Sequence, residues 1–409
     1  MRRSLPPTFE VISNSSRLSL EELRSRTPRV NGNGSGAFSL AQDGSAVSAI
    51  CCLIALIETG RMAYLVRDSN CPPDGIDLSG DRALYNGESF KSEFAQCLWL
   101  QTSGTSGKPK WVTHNIDNLL KGITKGGDSN TTWMLSFDPF SFAGVQVILS
   151  ALIGGHKLVC PPIAASVENV VTLAARHSVT HISGTPTFWR SFIRARKVNE
   201  IEFRQITLGG EIVDQGTLDA LKLSFPTARI RHIYATTEVG VVMKVRDGLA
   251  GFPADWLSRP FPNGISLNVS DEQTLLVNVA RGDSENRIED LVDTRDLVSI
   301  SGQRAYFVGR ADSVINVGGN KVYPEEIEAH ILKLPSISDV LVRSQPNPIT
   351  GSILIADIVP SLGYDPSLAK TQIVEHLKLL PRFARPAIIR IEDNVSKSIG
   401  GKKSRRNNH

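Results

Sequence analysis

The sequence predicts an α/β chain: a large N-terminal α/β domain with a β-rich closing subdomain, followed by a small C-terminal α+β domain. Three observations predict it. From Ser45 onward, apolar strand-like runs ("MAYLV", "CLWLQ", "WMLSF", "HKLVC", "THIS", "QITLGG", "IRHIY") alternate with amphipathic stretches ("NIDNLLKGI", "VENVVTLAARH", "QGTLDALKLSF"). That alternation is expected of a largely parallel sheet with helical crossovers. From about Ile265 the texture shifts to short alternating strands, "ISLNVS", "TLLVNVA" and "AYFVGR", which suit a small β-rich layer. After "GRADSVINVGGNKV" comes "YPEEIEAHILKL", with Pro and Glu in a first helical turn, then "DVLVRS", "ILIADIVP" and a helix over about Ser367 to Leu380.

The remaining segments fall into place around this frame. "NGNGSGAF", Asn31 to Phe38, reads as a turn-rich junction that leaves the residues before it as a separate arm or small subdomain. "AVSAICCLIALIETG" is apolar over roughly a dozen residues, too short for a membrane span of about 20, and reads as a core helix. The two arginines near the start precede no apolar stretch, so no secretory signal is expected.

The chain has 409 residues, 41% hydrophobic and 21% charged, with a formal charge of +4. That small excess gives no basic face for nucleic acid. The one dense basic run is the C-terminal "KKSRR". Five cysteines, Cys51, Cys52, Cys71, Cys97 and Cys160, form neither a C-x-x-C pair nor a zinc spacing. Buried thiols in a reducing cytoplasm are the expectation.

Polar loops at strand ends carry the chemistry, because ligands of open α/β sheets sit at the carboxyl ends of the strands. The first is "TSGTSGKPK", Thr102 to Lys110. It is not a Walker A loop: Thr102 stands where Gly is needed, and Pro109 follows Lys108 where Ser or Thr would hold magnesium. The others are "LGGEI" (Leu208 to Ile212), "YATTE" (Tyr234 to Glu238), "DTRD" (Asp293 to Asp296) and "SKSIGGKKSRR". No G-x-S-x-G or H-E-x-x-H is present, so a hydrolase of those types is not expected.

The order and spacing of these loops resemble the adenylate-forming superfamily of acyl-CoA synthetases, non-ribosomal-peptide adenylation domains and luciferases, from about Ser45 to Arg406. "TSGTSGKPK" is similar to the family's T-S-G-T-T-G-x-P-K and "GTPTFWRSF" to its V-P-T segment. "GGE" resembles its adenine loop, "YATTE" its Y-G-x-T-E, "DTRD" its T-G-D, and "GRADSVINVGGNKVYPEEIE" its hinge region. "SKSIGGKKSRR" resembles its final P-K-T-x-x-G-K-x-x-R.

The resemblance implies activation of a carboxylic acid by ATP as an acyl-adenylate with release of pyrophosphate, then transfer to a thiol to give a thioester. It implies that Thr102, Ser103, Gly104, Thr105, Ser106, Gly107 and Lys108 wrap the β and γ phosphates, that Thr237 bonds the α-phosphate, and that Glu238 holds Mg2+. Gly209, Gly210 and Glu211 flank adenine, Tyr234 stacks on it, and Ala235 and Thr236 complete that loop. Asp296 accepts from the ribose hydroxyls, helped by Arg310. Lys402 bridges carboxylate and α-phosphate, as an ammonium that stabilises both reacting charges.

The resemblance further implies two domains, residues 1–310 for AMP binding and 311–409 as a mobile domain hinged at Asp312. The Gly318–Gly319 loop would line a thiol tunnel in the rotated state. A plain glycine hairpin is the alternative for that loop. The acceptor stays open between coenzyme A, the phosphopantetheine arm of an acyl carrier protein, and none. An amino-acid-activating enzyme, or a non-catalytic acyl-adenylate-binding relative, is the alternative function.

Departures from the pattern are Trp111 after P-K, Arg295 for the glycine of T-G-D, Ala235 for the glycine of Y-G-x-T-E, and Asn316 where many relatives have lysine. None removes a charge that the first half-reaction needs. The segment before the phosphate loop is also shorter than in typical relatives. For the acyl pocket, "SFDPFSFAGVQV" offers Phe140, Phe142 and Gly144 for an apolar or aromatic group, with Gly184 and Thr185 as another wall. Asp138 either pairs with a substrate ammonium or caps the helix that follows, and the cap is the preferred expectation.

Overall fold

The computed structural model describes residues 4–13, 16–26, 38–41, 43–60, 62–66, 76–77, 84–85, 88–89, 96–102, 110–126, 128–163, 165–261, 264–281, 288–361, 363–393 and 395. The chain forms two compact units. The first is Met1–Gly184 with Ala195–Thr207 and Thr227–Arg229; the second is Thr185–Arg194, Leu208–Pro226 and Ile230–His409.

In the first unit, strands His181–Gly184, Thr132–Met134, Lys157–Cys160 and Glu10–Ser13 lie side by side and parallel, with Ser16–Ser19 antiparallel at the edge. The N-terminal residues are therefore not a separate arm, as the turn-rich junction suggested. Glu10–Ser13 joins the sheet beside Lys157–Cys160, because Phe9, Val11 and Ile12 have apolar surface to bury there. A second sheet orders Phe38–Ala41, Met62–Leu65, Cys97–Thr102 and Lys110–Asn115, the last two antiparallel.

The helix Ala46–Thr59 is the core element expected of "AVSAICCLIALIETG", buried from Ala49 to Ile57. Ser45 caps its start, accepting from the Ser48 N–H at 3.1 Å. Gly60 ends it in the left-handed conformation, φ +70°, donating to the Leu56 carbonyl at 2.9 Å. The helix Phe142–Gly154 is built alike, between a Ser141 cap and Gly155 at φ +69°. Both pack into one apolar core with Leu98, Leu100, Trp133 and Leu158.

The second unit holds the antiparallel pair Arg229–Thr236 and Gly240–Val245, apart from Arg229 itself. It also holds a five-stranded antiparallel sheet in the order Phe252–Pro253, Arg304–Arg310, Ile288–Ser301, Thr274–Arg281, Ile265–Val269. This is the β-rich layer read from "ISLNVS" onward, cored by Val242, Phe252, Leu267, Leu275 and Val277. Toward the C-terminus the hairpin Ile315–Val317/Asn320–Val322, helices Pro324–Ile331 and Pro366–Leu377, and a sheet of Ile337–Asn347, Gly351–Pro360 and Ile388–Ile391 surround their own core. By compactness residues 311–409 group with Ile230–Arg310.

Burial pushes the thiols of Cys52 and Cys160 up to about 12 from 9.0. Between those two pH values the folded chain keeps these protons while the unfolded chain releases them, so the native state binds more protons. Stability should therefore fall as pH rises from about 9 toward 12, beyond what Cys52→Ala and Cys160→Ala variants lose over the same range. Urea melts across that range check it; equal slopes in wild type and variants would contradict it.

Candidate adenylate site

Among the described residues, the densest polar cluster at the predicted loops lies in the second unit, around Asp296. The strand Ile288–Ser301 carries the "DTRD" segment, and Asp296 sits directly opposite Arg310 of Arg304–Arg310. Arg310 Nη1 donates to Asp296 Oδ1 at 3.0 Å, and its Nε donates to Asp312 Oδ1 at 3.0 Å. The Tyr234 hydroxyl donates to the other Asp296 oxygen, Oδ2, at 2.5 Å. One carboxylate is thus held from two sides, and the guanidinium also reaches Asp312, the residue expected at the hinge.

The electrostatics follow from this packing. Burial, then the Asp296 charge, raises the Tyr234 pKa, so the phenol stays protonated as a donor. Burial works against the Arg310 charge, yet the Asp296 and Asp312 carboxylates outweigh it and raise the Arg310 pKa. Tyr234 also stacks on Phe307, ring centroids 4.6 Å apart at 26°. Sequence reasoning missed Phe307; its place in the alternating strand "AYFVGR", three residues before Arg310, was the available signal.

The "YATTE" segment ends the strand Arg229–Thr236, whose register with Gly240–Val245 shifts between Tyr234 and Ala235. A bulge of this kind re-aims the residues beyond it. Thr236 Oγ1 accepts from Val239 N–H at 3.1 Å and closes the turn that carries Thr237 and Glu238. Glu238 is exposed, and among the described residues it makes no ion pair. A lone carboxylate suits magnesium, which keeps several waters and takes one or two protein oxygens plus phosphates.

At the loop expected to flank adenine, Gly209 approaches the Ile233 carbonyl so closely that a Cβ would lie 3.2 Å from it, and Gly210 adopts φ +83°. Both positions suit glycine for these reasons. Glu211 Oε2 accepts from the Thr187 N–H at 3.1 Å, while its Oε1 is buried with no protein partner. Beneath it, Arg190 donates to Asp214 at 3.1 Å, to Thr217 at 3.2 Å and to Thr187 at 3.0 Å. This network was not read from the sequence either, since its residues come from separate helices.

Of the expected acyl-pocket residues, Asp138, Phe140, Phe142 and Gly144 lie in the first unit. Asp138 Oδ1 accepts from the Phe140 N–H at 2.8 Å, a local turn, whereas the cap of the following helix is Ser141, accepting from Gly144 N–H at 3.0 Å. A Cβ on Gly144 would come within 2.0 Å of the Asp138 carbonyl oxygen. Phe140 is a core side chain, 1% exposed, and Phe142 packs against that core and His114. Gly184 ends the strand His181–Gly184, and Thr185 caps the helix Pro186–Phe192 in the second unit.

The expected thiol-tunnel residues Gly318 and Gly319 form the turn of a hairpin, at φ +57° and +85°. Thr102 ends the strand Cys97–Thr102 and pairs with Lys110, so the expected phosphate loop connects two antiparallel strands. The remainder of that loop, Ser103, Gly104, Thr105, Ser106, Gly107 and Lys108, lies outside the described residues, as does Lys402.

The family model described as AMP-binding enzyme matches residues 88–281. Over that stretch the chain is similar to the adenylate-forming superfamily. It is 27% identical to tyrocidine synthase 3 of Brevibacillus parabrevis over 85% of this chain and 6% of that protein. It is 26% identical to 4-hydroxybutyrate–CoA ligase 1 of Metallosphaera sedula over 74% of this chain and 59% of that one. The chain thus spans about six tenths of the CoA ligase that it matches. The ATP-bound RpMatB–BxBclM chimera B1 shares the fold, with a TM-score of 0.70 at 18% identity, covering 98% of this chain and 94% of that chain.

Within this superfamily's T-G-D pattern, Arg295 holds the glycine position at φ +60°, a left-handed conformation that costs a side-chain-bearing residue about 1 kcal/mol or more. Its ion pair with Asp293, 3.5 Å long and exposed, returns little. Arg295→Gly should raise stability by about 1 kcal/mol. A fall in the thermal midpoint would mean that the Arg295 side chain holds the segment by contacts stronger than that strain.

Proposed function

We propose that the protein activates a carboxylic acid with ATP and Mg2+ and passes the acyl group to a thiol. The observation that carries this reading is the Asp296 cluster: a carboxylate fixed by Tyr234 and Arg310, in the T-G-D position. Oriented in this way, it is pre-set to accept from two ribose hydroxyls. The unpaired Oε1 of Glu211 adds an acceptor suited to an exocyclic amine such as that of adenine.

In the first half-reaction a substrate carboxylate oxygen attacks the α-phosphorus, and the bond to pyrophosphate breaks. The phosphate loop, Thr102 to Lys108, lowers the cost of the departing charge with hydroxyls, backbone N–H groups and one ammonium. Glu238 holds the magnesium that neutralises phosphate oxygens when bound, and Thr237 hydrogen-bonds the α-phosphate. Lys402 bridges the carboxylate and the α-phosphate. In the second half-reaction a thiolate attacks the acyl carbon and AMP leaves, with Gly318 and Gly319 lining the thiol's path after rotation about Asp312 and residues 311–409 moving as the mobile part. Coenzyme A is the acceptor we favour over a carrier arm, from the name of the ligase relative. Phe142, Gly144, Gly184 and Thr185 are the pocket residues we propose for an uncharged acyl group, in a cytoplasmic enzyme.

Pyrophosphate should be released from ATP only when magnesium and a suitable carboxylic acid are both present; a carboxylic-acid panel read by pyrophosphate release checks this. Formation of ADP and phosphate instead would overturn it.

The two half-reactions separate by mutation. Loss of one oriented charge stabiliser costs about 100- to 1,000-fold in rate. Lys402→Ala should slow adenylate formation by that factor and leave thioester formation from a pre-made acyl-adenylate intact. Asp312→Pro, which fixes φ at the hinge, should do the reverse. Equal slowing of both steps by Lys402→Ala, with no effect of Asp312→Pro, would refute alternation of the C-terminal part.

A further inference from the structure

At the amino ends of the first unit's parallel strands, opposite the ends that carry Asp138 and Gly184, lies a recess of about 480 Å3. Four cations line it: Arg17, Lys157, Arg176 and Arg204. Lys157 opens its strand and lies between Glu10 and Thr132, the first residues of the two neighbouring strands. Arg204 is engaged by Asp128, and Arg17 lies 3.8 Å from Glu10 with its side chain 65% exposed. Among the described residues no carboxylate pairs with Lys157 or Arg176. Arg176 closes the helix Val167–Arg176, where a basic residue answers the helix dipole. That accounts for Arg176 alone.

The neighbouring polar groups fit an oxyanion. His177 also lines the recess, offering a ring nitrogen beside the guanidinium forks, while the Thr180 hydroxyl is taken up by the Thr132 backbone. The His177 pKa is lowered by burial first, then by Arg176 and Arg17, so the positive field extends to the imidazole. Two of the four cations, Lys157 and Arg176, have no carboxylate partner among the described residues, and their repulsion is relieved by a bound anion. Arginine forks with a lysine match the oxygens of a phosphate group, and the volume exceeds that of a bare phosphate and lies within the range of small-molecule sites.

We propose that this recess binds a phosphate-bearing small molecule, held by Arg17, Lys157, Arg176 and Arg204, at a site separate from the Asp296 cluster. The phosphate comes either as free inorganic phosphate or as a phosphate ester, and the same chemistry recognises both.

The test titrates inorganic phosphate and glucose 6-phosphate, in separate arms at constant ionic strength, into the full chain. Calorimetry and the His177 ring resonances are read, the latter assigned with His177→Gln. Saturable binding that moves those resonances is expected, and Lys157→Gln with Arg176→Gln should weaken it about tenfold or more. Tighter binding of glucose 6-phosphate assigns the site to an ester, tighter binding of phosphate to the free ion. Both replaced side chains are exposed, and an unchanged melting temperature confirms that the variant is folded. Absence of saturation in both arms, or equal affinity in the folded double variant, overturns the proposal.

Discussion

A carboxylate that is five-sixths withdrawn from water must be compensated, and the second unit is organised around one such group. The Asp296 side chain is 17% exposed. Left unpaired, it would forfeit the solvation of its charge, which outweighs most single packing gains. Compensation comes from Arg310, directly opposite in the neighbouring strand, and from Tyr234 of the strand pair Arg229–Thr236/Gly240–Val245. Each partner works only if the strand register is right. A slip of one residue would turn Asp296 or Arg310 to the other face of the sheet.

The irregularities of this region follow from that demand. The ladder shifts between Leu297 and Val298, and Arg295 adopts the left-handed conformation just ahead of Asp296. Thr294 Oγ1 binds the Leu275 carbonyl at 2.9 Å and accepts from the Asp296 N–H at 3.2 Å, locking the kink. The guanidinium that neutralises Asp296 also binds Asp312, and Ser313 Oγ donates to Glu325 at 3.1 Å. The segments read as nucleotide site and as hinge are thus tied through one arginine. In the first unit the same economy appears without charge: Gly144 permits the Asp138 turn to lie against a helix start, and Ser141 satisfies the helix's first N–H groups.

The sequence by itself determined the fold class and the order of loops, and it singled out Tyr234, Asp296, Arg310 and Asp312, which the structure brings together. These were legible because each sits in a short segment whose residue types and spacing are local properties of the chain. The Gly318–Gly319 turn was legible for the same reason, whereas the cap expected at Asp138 falls to Ser141. Tertiary structure decided what depends on contacts distant in the chain. It paired Glu10–Ser13 with Lys157–Cys160, a partnership too short and too remote for any pattern to reveal. It set Phe307 against Tyr234, and it converted Phe140 from a pocket candidate into a core side chain. It also drew Arg17, Lys157, Arg176 and Arg204 into one recess, although the only basic run visible in the sequence was the C-terminal tail. Periodicity reports which side of an element is apolar; which elements meet there is decided by burial and charge compensation summed over the folded chain.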